Sequence, residues 1–183
     1  MGKSIFVNSF GRGRILDEAG NRILLRTKKS YELFFYLFQE RNELITKEDL
    51  IDTIFPKMDE EKAGNNLHTT IYQIRKSFSD YGYEEVIVYK SGTYFLNVTI
   101  ISDLDEVNQL MLADLNDKHA MKLLELYRGK YFEKCDYIWS FDISIAIHEK
   151  ILIGIKQSIE KGLISKRLSI ILMEKFDNER LKN

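Results

Sequence analysis

One side of the segment Asn65–Phe78 carries side chains suited to contacts with nucleic acid. Its apolar residues recur at helical spacing and form one stripe: Leu67, Ile71, Ile74 and Phe78. The opposite side is expected to carry Asn66, Thr69, Thr70, Gln73, Arg75 and Lys76, with Tyr72 among them, and Asn65 at the start of the segment joins these candidate DNA-binding residues. Short amides, hydroxyls and guanidinium groups bond base edges and phosphates in a major groove. This pattern favours a DNA-reading helix over an amphipathic core helix, whose solvent face would more often alternate Glu and Lys.

Each polar side chain of this segment has an expected role. Arg75 and Lys76 suit phosphates, because both are cations. Tyr72 suits a sugar or a thymine methyl group. The side chains expected to face bases are Asn66, Thr69, Thr70 and Gln73.

The flanking elements have the order of a helix-turn-helix with a wing. Thr46 can cap a short helix by accepting from the amide of Asp49, and Pro56, the only proline, ends it. A polar loop at 56–64 with three acids then precedes the helix at 65–78. Two strands at 86–89 and 93–98 follow as a hairpin. The hairpin residues Lys90, Ser91 and Thr93 either complete the turn or contact a phosphate or the minor groove.

The first hundred residues read as one α+β domain. Strands are expected at 4–10, 14–16 and 22–25, and they would form a small antiparallel sheet. A helix is expected at 28–40, before the helix-turn-helix. The predicted order is β-β-β-α-α-α-β-β.

The remaining residues read as an all-α domain. Helices are expected at 103–113, 117–127, 142–161 and 165–176, and antiparallel pairs of the tetratricopeptide kind would suit them. No 34-residue repeat is visible in register. Aromatic residues at 131–141 are interpreted as a core corner joining helices rather than as a ligand cage.

The net charge and the hydropathy of the chain limit the classes of function that are possible. The net charge is −1, with 14 basic and 14 acidic residues in 1–98 and 13 and 14 in 99–183. Because neither part is strongly basic, DNA affinity must come from local charge placement, and two copies on adjacent half-sites would strengthen it. No apolar run has membrane-spanning length, and the first residues lack a signal-peptide pattern, so a cytoplasmic protein without membrane contact is expected.

The titratable side chains give no sign of an enzyme. His68, His119 and His148 lack metal-ligand spacing, and Cys135 has no second thiol for a disulfide. The short Gly11–Gly13 segment is not a phosphate-binding glycine loop. We therefore expect no catalytic residues, no metal and no cofactor.

An ordered set of motifs resembles a known family of regulators. The motifs are FGRGRI at 10–15, RTKKSYELFFYL at 26–37, ITKEDLIDTIFP at 45–56, NNLHTTIYQIRKSF at 65–78, SGTYFL at 91–96 and LYRGKYFEKCDYIWSF at 126–141. Residues 5–98 resemble the OmpR-type winged-helix domain, in the variant used by regulators like the Streptomyces antibiotic regulatory proteins (SARP-like). Residues 103 to about 176 resemble the start of the bacterial transcriptional activator domain that follows it.

The resemblance implies a sequence-specific activator that binds direct repeats and touches RNA polymerase. It places the recognition helix at 65–78, the wing at 88–94 and a polymerase-contacting loop at 56–64, which includes Asp59, Glu60 and Glu61. These acids can equally be a solvated charge run at a helix N-terminus. No receiver domain with a phospho-acceptor is present in the sequence.

The predicted fold is an α+β winged helix-turn-helix domain at 1–98 and a second all-α, tetratricopeptide-like domain at 103–183, shortened relative to the family. The predicted function is regulation of transcription through double-stranded DNA, with self-association on DNA. The alternative is a protein-interaction module whose winged helix no longer binds DNA.

Overall fold

The structure, a computed structural model, describes residues 3–180, with side chains as far as Asp177. Residues 1, 2 and 181–183, which the predicted domains include, lie outside the described residues. The chain divides into two compact units. The first contains Arg14–Ile101 with the N-terminal residues up to Phe6, and the second contains Val7–Gly13 with the residues from Ser102 onward.

The first unit is built from three helices and two small sheets. Its elements in chain order are β1 (Ser4–Asn8), β2 (Arg14–Leu16), α1 (Lys28–Gln39), β3 (Ile45–Thr46), α2 (Lys47–Ile54), α3 (Glu60–Ser79), β4 (Ile87–Lys90), β5 (Thr93–Leu96) and β6 (Thr99–Ser102). The last two residues of β1 and the last residue of β6 are counted with the second unit. The sheets have the orders β2-β1-β6 and β3-β5-β4. In the second sheet, Lys90 pairs with Thr93 and Ile45 with Tyr94, both in antiparallel register.

Helix α1 supplies the centre of the core of this unit. The Thr27 hydroxyl accepts from the amide of Ser30 and caps the helix. Phe34 is fully buried, and its ring lies 5.3 Å from that of Phe78 in α3. This aromatic contact ties α1 to the buried side of α3.

The predicted cap of α2 is confirmed. Thr46 accepts from the Asp49 amide at 3.1 Å, and the Asp49 carboxylate accepts from the Thr46 amide at 2.8 Å. These reciprocal hydrogen bonds form a capping box. The Thr46 hydroxyl also donates to the Asp49 carboxylate at 2.7 Å, and this bond, followed by that from the Thr46 amide, lowers the pKa of Asp49 below its usual value.

The loop predicted at 56–64 is wrong, because α3 begins at Glu60. Asp59 caps the helix by accepting from the Lys62 amide at 3.0 Å. Gly64 and the two asparagines after it have low helix propensity, which suggested a loop. Ala63 and Gly64 are nevertheless buried, so packing outweighs propensity here.

The third N-terminal strand is also corrected. The predicted strand at 22–25 is only an isolated bridge between Leu16 and Arg22. The third strand of this sheet is instead β6, which lies beside β1 and which sequence periodicity did not indicate. The third strand therefore comes from more than seventy residues downstream, a pairing that local pattern cannot reveal.

The second unit is mainly helical. It contains α4 (Asp103–Leu110), α5 (Asp117–Leu126), a 3-10 helix (Ile138–Ser140), α6 (Phe141–Glu160) and α7 (Lys166–Arg180). Helix α4 is shorter than predicted, because the backbone turns at Met111. No helix among residues 3–180 is long and apolar enough to cross a membrane.

An extended N-terminal segment belongs to this second unit. The buried carboxylate of Asp103 accepts from the Ser9 amide and hydroxyl, each at 2.7 Å, and from Arg128 Nη2 at 2.9 Å. The Gly11 amide donates to the Lys130 carbonyl at 2.9 Å, and Gly11 has a φ of 82°. A side chain at Gly11 would meet the backbone of Arg128, so glycine suits both the angle and the close approach.

Helices α1–α3 followed by the β4-β5 hairpin form the predicted winged helix-turn-helix. The predicted fold class, an α+β winged helix followed by a helical part, is confirmed. The helical part also contains the extended segment Val7–Gly13.

Candidate nucleic-acid interface

Helix α3 has one buried and one exposed side. The buried side contains Ala63, Gly64, Leu67, Thr70, Ile71, Ile74, Ser77 and Phe78. The exposed side contains Asn65, Asn66, His68, Thr69, Tyr72, Arg75, Lys76 and Ser79, and Gln73 lies half-buried at its edge. Tyr72 is 63% exposed, although it is a large ring. The polar side chains predicted from the sequence therefore share one open face, except for Thr70.

Thr70 does not lie on this face. It is only 6% exposed, because it stands three residues after Leu67 and four before Ile74 on the same side of the helix. Its expected contact with a base is therefore corrected: Thr70 is a packing residue.

His68 was missed as a member of the exposed face. It lies three residues after Asn65 and four before Tyr72, which places the three side chains in one row. Metal-ligand spacing, the criterion applied to the histidines, does not indicate a position on a helix face. The helical position of His68 relative to Asn65 and Tyr72 was the available signal.

Three amide and hydroxyl side chains of this face make contacts within the protein. The Thr69 hydroxyl donates to the Asn65 carbonyl at 2.9 Å, so its oxygen lone pairs remain able to accept. Asn66 Nδ2 lies 3.1 Å from the Met58 sulfur. Gln73 Oε1 accepts from the Ser30 hydroxyl at 3.4 Å, which leaves the Gln73 amide nitrogen as a donor for an external group.

Arg75 connects the exposed face to the hairpin. Its Nε donates to the main-chain oxygen of Ile87 in β4 at 2.9 Å. This bond orients the planar guanidinium, whose terminal nitrogens carry four further donors. Lys76, the next residue, is exposed in the last turn of α3 and brings a second cation.

A groove runs between the C-terminal half of α3 and β4. Its walls include Tyr72, Arg75 and Lys76 from the helix and Tyr89 from the strand. Glu84 and Glu85 also line it, so its charge is mixed. An anionic strand in the groove would meet the cations of α3 on one side and these acids on the other.

The hairpin has the tight turn that its sequence predicts. Ser91 and Gly92 have φ values of 53° and 86°, as in a two-residue type I′ turn. Lys90 and Ser91 are exposed, whereas Thr93 is half-buried and donates to the Lys90 carbonyl at 3.1 Å. The first two side chains are therefore open to a ligand, while the Thr93 hydroxyl hydrogen is used within the turn.

Three acids lie at the N-terminus of α3. Asp59, Glu60 and Glu61 are all exposed. The Lys62 amide donates to Asp59, and the Lys62 ammonium lies 3.1 Å from the same carboxylate, so the pKa of Asp59 is lowered. Asp59 thus caps the helix, whereas the carboxylates of Glu60 and Glu61 extend from its first turn.

The second unit holds the other histidines and the cysteine. His148 is buried, and its Nδ1 lies 2.8 Å from the Tyr127 hydroxyl. Among residues 3–180, no group of histidine, cysteine and acidic side chains has the arrangement of a metal site. The aromatic segment at 131–141 packs on itself, with the Tyr137 and Trp139 rings stacked at 5.5 Å. This packing fits the predicted core corner.

Part of the chain matches a known protein family. Residues 20–94 match the family model for the C-terminal domain of transcriptional regulatory proteins, a segment that contains α1–α3, β4 and the start of β5. A comparison with curated proteins finds no match. Residues 20–94, which contain the winged helix-turn-helix described above, are therefore similar to the C-terminal domain of transcriptional regulatory proteins.

A solved structure shares the fold over most of the chain. It is Mycobacterium tuberculosis EmbR in complex with a low affinity phosphopeptide, with a TM-score of 0.68 and 17% sequence identity. The match covers 85% of this chain and 45% of that chain. The likeness shows the fold, and the chain spans less than half the length of the EmbR chain.

Proposed function

We propose that the protein is a sequence-specific regulator of transcription that inserts α3 into the major groove of double-stranded DNA. The observation that carries the proposal is the exposed face of α3, where amides, hydroxyls and two cations lie opposite a buried, largely apolar side. The β4-β5 hairpin then lies toward the backbone or the minor groove.

The residues of the proposed interface fall into two groups, those that contact bases and those that contact phosphates. Base contacts come from the amide and hydroxyl groups of Asn65, Asn66, Thr69 and Gln73, to which we add His68. Phosphate contacts come from Arg75, Lys76 and Lys90, with Tyr72, Ser91 and Thr93 beside them. Exposure and helical position support this assignment for the α3 residues.

We infer that two copies act together on direct repeats and that the protein is an activator. The motif resemblance favours direct repeats. The charge supports the need for two copies, because a chain with a net charge of −1 gains little from non-specific attraction to phosphates. Two linked copies raise the affinity for paired half-sites by increasing the effective concentration.

We assign a separate role to each of the two domains predicted from the sequence. Residues 1–98 are proposed to bind DNA, and residues 103–183 are proposed to be a shortened activator-type domain that mediates self-association or receives a signal. The helical character of the second unit supports the latter assignment.

We also propose that the N-terminus of α3 contacts RNA polymerase. Glu60 and Glu61 support this, because they are exposed and neither carries the cap, which is made by Asp59. A solvated pair of acids that stabilises the helix dipole is the competing interpretation.

A second candidate function is a protein-interaction module. The exposed rings of Tyr72 and Tyr89 and the exposed Met58 favour it, because such side chains are common at protein interfaces. Binding to a protein partner would depend on these side chains and would respond weakly to salt, whereas binding to DNA falls steeply as salt rises.

Selection of bound duplexes from a random library, followed by footprinting, tests the proposed function. It should recover a consensus with two half-sites one or more helical turns apart. Failure to enrich any duplex at low salt would contradict DNA binding, and a single isolated half-site would contradict the paired arrangement.

A further inference from the structure

The side chain of Gln73 in α3 is oriented from inside the protein, by a serine of α1. Gln73 lies half-buried at the edge of the exposed face, one turn after Thr69 and one turn before Lys76. Its Oε1 atom accepts from the hydroxyl of Ser30 at 3.4 Å. Ser30 is fully buried, so water does not compete for this contact. Because the two polar atoms of a planar amide diverge, Nε2 of Gln73 is directed away from Ser30.

A short chain of hydroxyl groups supports this orientation of Gln73. Thr27, the N-cap of α1, accepts from the Ser30 amide at 3.0 Å, and the two hydroxyl oxygens lie 2.8 Å apart. Donation from the Thr27 hydroxyl to Ser30 leaves the single hydroxyl hydrogen of Ser30 for Gln73 Oε1, and each hydrogen in the chain then has an acceptor. The opposite direction would need the amide nitrogen of Gln73 at Ser30, with its oxygen turned outward.

A glutamine that presents only its donor reads bases differently from an unrestrained glutamine. An unrestrained side chain contacts adenine through two hydrogen bonds, in which its oxygen accepts from N6 and its nitrogen donates to N7. This contact requires both polar atoms of the amide to point at the base together. Guanine instead presents two adjacent acceptors, O6 and N7, which can accept both hydrogens of Nε2. An amide whose oxygen is held by Ser30 therefore suits guanine better than adenine.

We propose that Ser30 is a positioning residue for base recognition and that it makes Gln73 select guanine. Because Ser30 is fully buried, it acts on a base only through Gln73. The inference rests on the proposed function, since it requires α3 to enter a major groove. A distance of 3.4 Å is long for a hydroxyl donor, so the contact should influence base preference more than the stability of the fold.

Base preference at the position that Gln73 reads provides the test. This position is the one at which Gln73→Ala removes the preference that the unmodified chain shows in duplexes selected from the random library. Competition titrations with each of the four base pairs at this position then measure the preference of every variant. We expect the unmodified chain to favour guanine over adenine by at least about fivefold, the lower end of what a well-oriented bidentate contact contributes.

Two substitutions change the orientation or the chemistry of the amide. Ser30→Ala should shift the preference from guanine toward adenine, because Oε1 of Gln73 is then free to accept from N6. Gln73→Glu replaces Nε2 by an acceptor and should shift the preference to cytosine, whose N4 donates. In a chain that already carries Gln73→Ala, Ser30→Ala should have no effect on base preference. A merely structural loss would act in both backgrounds.

Ser77→Ala is the matched control for Ser30→Ala. Ser77 is also a buried serine, but its hydroxyl has no hydrogen-bond partner among the residues that the structure describes. Its removal should leave base preference unchanged, and circular dichroism confirms the helical content of each variant. NMR relaxation of the Gln73 side-chain amide is measured on the full chain without DNA. The amide should be restrained in the unmodified and Ser77→Ala chains and more mobile in Ser30→Ala.

Four results would overturn the inference while duplexes are still enriched, and they would leave the proposed function standing. The first is a Gln73→Ala variant with the same preference as the unmodified chain at every position. The second is a preference of the unmodified chain for any base other than guanine. The third is a guanine preference that Ser30→Ala leaves unchanged, and the fourth is an amide equally mobile with and without Ser30. Failure to enrich any duplex contradicts the proposed function itself, and the base assignment then falls with it.

Discussion

Arg75 in α3 donates from Nε to the main-chain oxygen of Ile87 in β4, across 2.9 Å. The bond joins the last third of the recognition-type helix to the first strand of the hairpin. It restrains a side chain that otherwise has many rotamers, so less entropy is lost when the guanidinium binds. The helix and the hairpin can therefore present Arg75 to a DNA strand as a fixed donor.

Two substitutions separate the charge of Arg75 from its placement. Arg75→Ala is expected to weaken binding and to reduce the slope of log affinity against log salt by about 1, because one phosphate contact is lost. Arg75→Lys should keep the slope but weaken binding, since lysine lacks Nε and the planar fork. Binding titrations over a range of salt measure both quantities. Arg22→Ala, which removes an exposed arginine after β2, serves as the control and should change neither.

Gln73 and Thr70 lie one turn apart on α3, but Gln73 is half-buried at the edge of the exposed face whereas Thr70 is buried. Gln73→Ala should cost about 1–3 kcal/mol of discrimination at one base position, as expected for a side chain that reads a base. Thr70→Ala should leave base preference unchanged and lower the free energy of unfolding instead, because Thr70 is buried. Competition titrations with single base-pair substitutions provide the test. An equal loss of Gln73→Ala affinity on cognate and scrambled duplexes would exclude base reading.

The capping box of α2 predicts a pH-dependent contribution to stability. Thr46→Ala should lower the free energy of unfolding by about 1 kcal/mol, as loss of an N-cap hydroxyl does. The pKa of Asp49 is lowered in the folded state, so its stabilising effect is present above the ordinary carboxyl pKa of about 3.9 and lost as pH falls through the folded pKa.

Asp49→Asn should therefore destabilise the protein at pH 7, with a difference from the unmodified chain that shrinks below about pH 4. Denaturant unfolding at several pH values measures this difference. Asp52→Asn, an exposed change in the same helix, is the matched control. A difference that stays constant down to pH 2 would argue against the carboxylate as its source.

The acids at the start of α3 give a prediction about transcription. Glu60→Gln with Glu61→Gln should lower activation of a reporter while duplex affinity stays the same or rises slightly, because negative charge near DNA is removed. Asp59 is left intact because it caps the helix. Reporter output and duplex affinity are measured on the same variant. Unchanged activation would contradict the polymerase contact and favour solvated acids. A parallel drop in activation and in duplex affinity would indicate that α3 itself is damaged.

Much of the first unit follows from local pattern. The apolar spacing of Leu67, Ile71 and Ile74 predicted the buried side of α3, and the Thr46 and Asp49 pair predicted the cap of α2. The positive φ values at Ser91 and Gly92 agree with the predicted hairpin turn. These features depend on residues close in sequence, so period and capping chemistry are enough to predict them.

The features that the sequence did not reveal depend on distant contacts. Asp103 lies in the first turn of α4, as its position in the sequence suggests, but its buried carboxylate also accepts from Ser9, 94 residues away, which no local pattern indicates. Strand β6 is likewise defined by its place beside β1 and not by its own composition. Thr70 was assigned to the open face because of its hydroxyl, although its helical position places it beside Leu67 and Ile74. Side-chain type was a weaker guide there than helical periodicity.

Duplex binding by the full chain across a range of salt is the most direct test of the central claim. With a duplex selected from the random library, log affinity should fall linearly with log salt, with a slope of about −0.9 for each phosphate contacted. Selected duplexes should bind at least about a thousandfold more tightly than scrambled ones. An affinity that is independent of salt, or equal for selected and scrambled sequences, would contradict a DNA-reading role for the exposed face of α3.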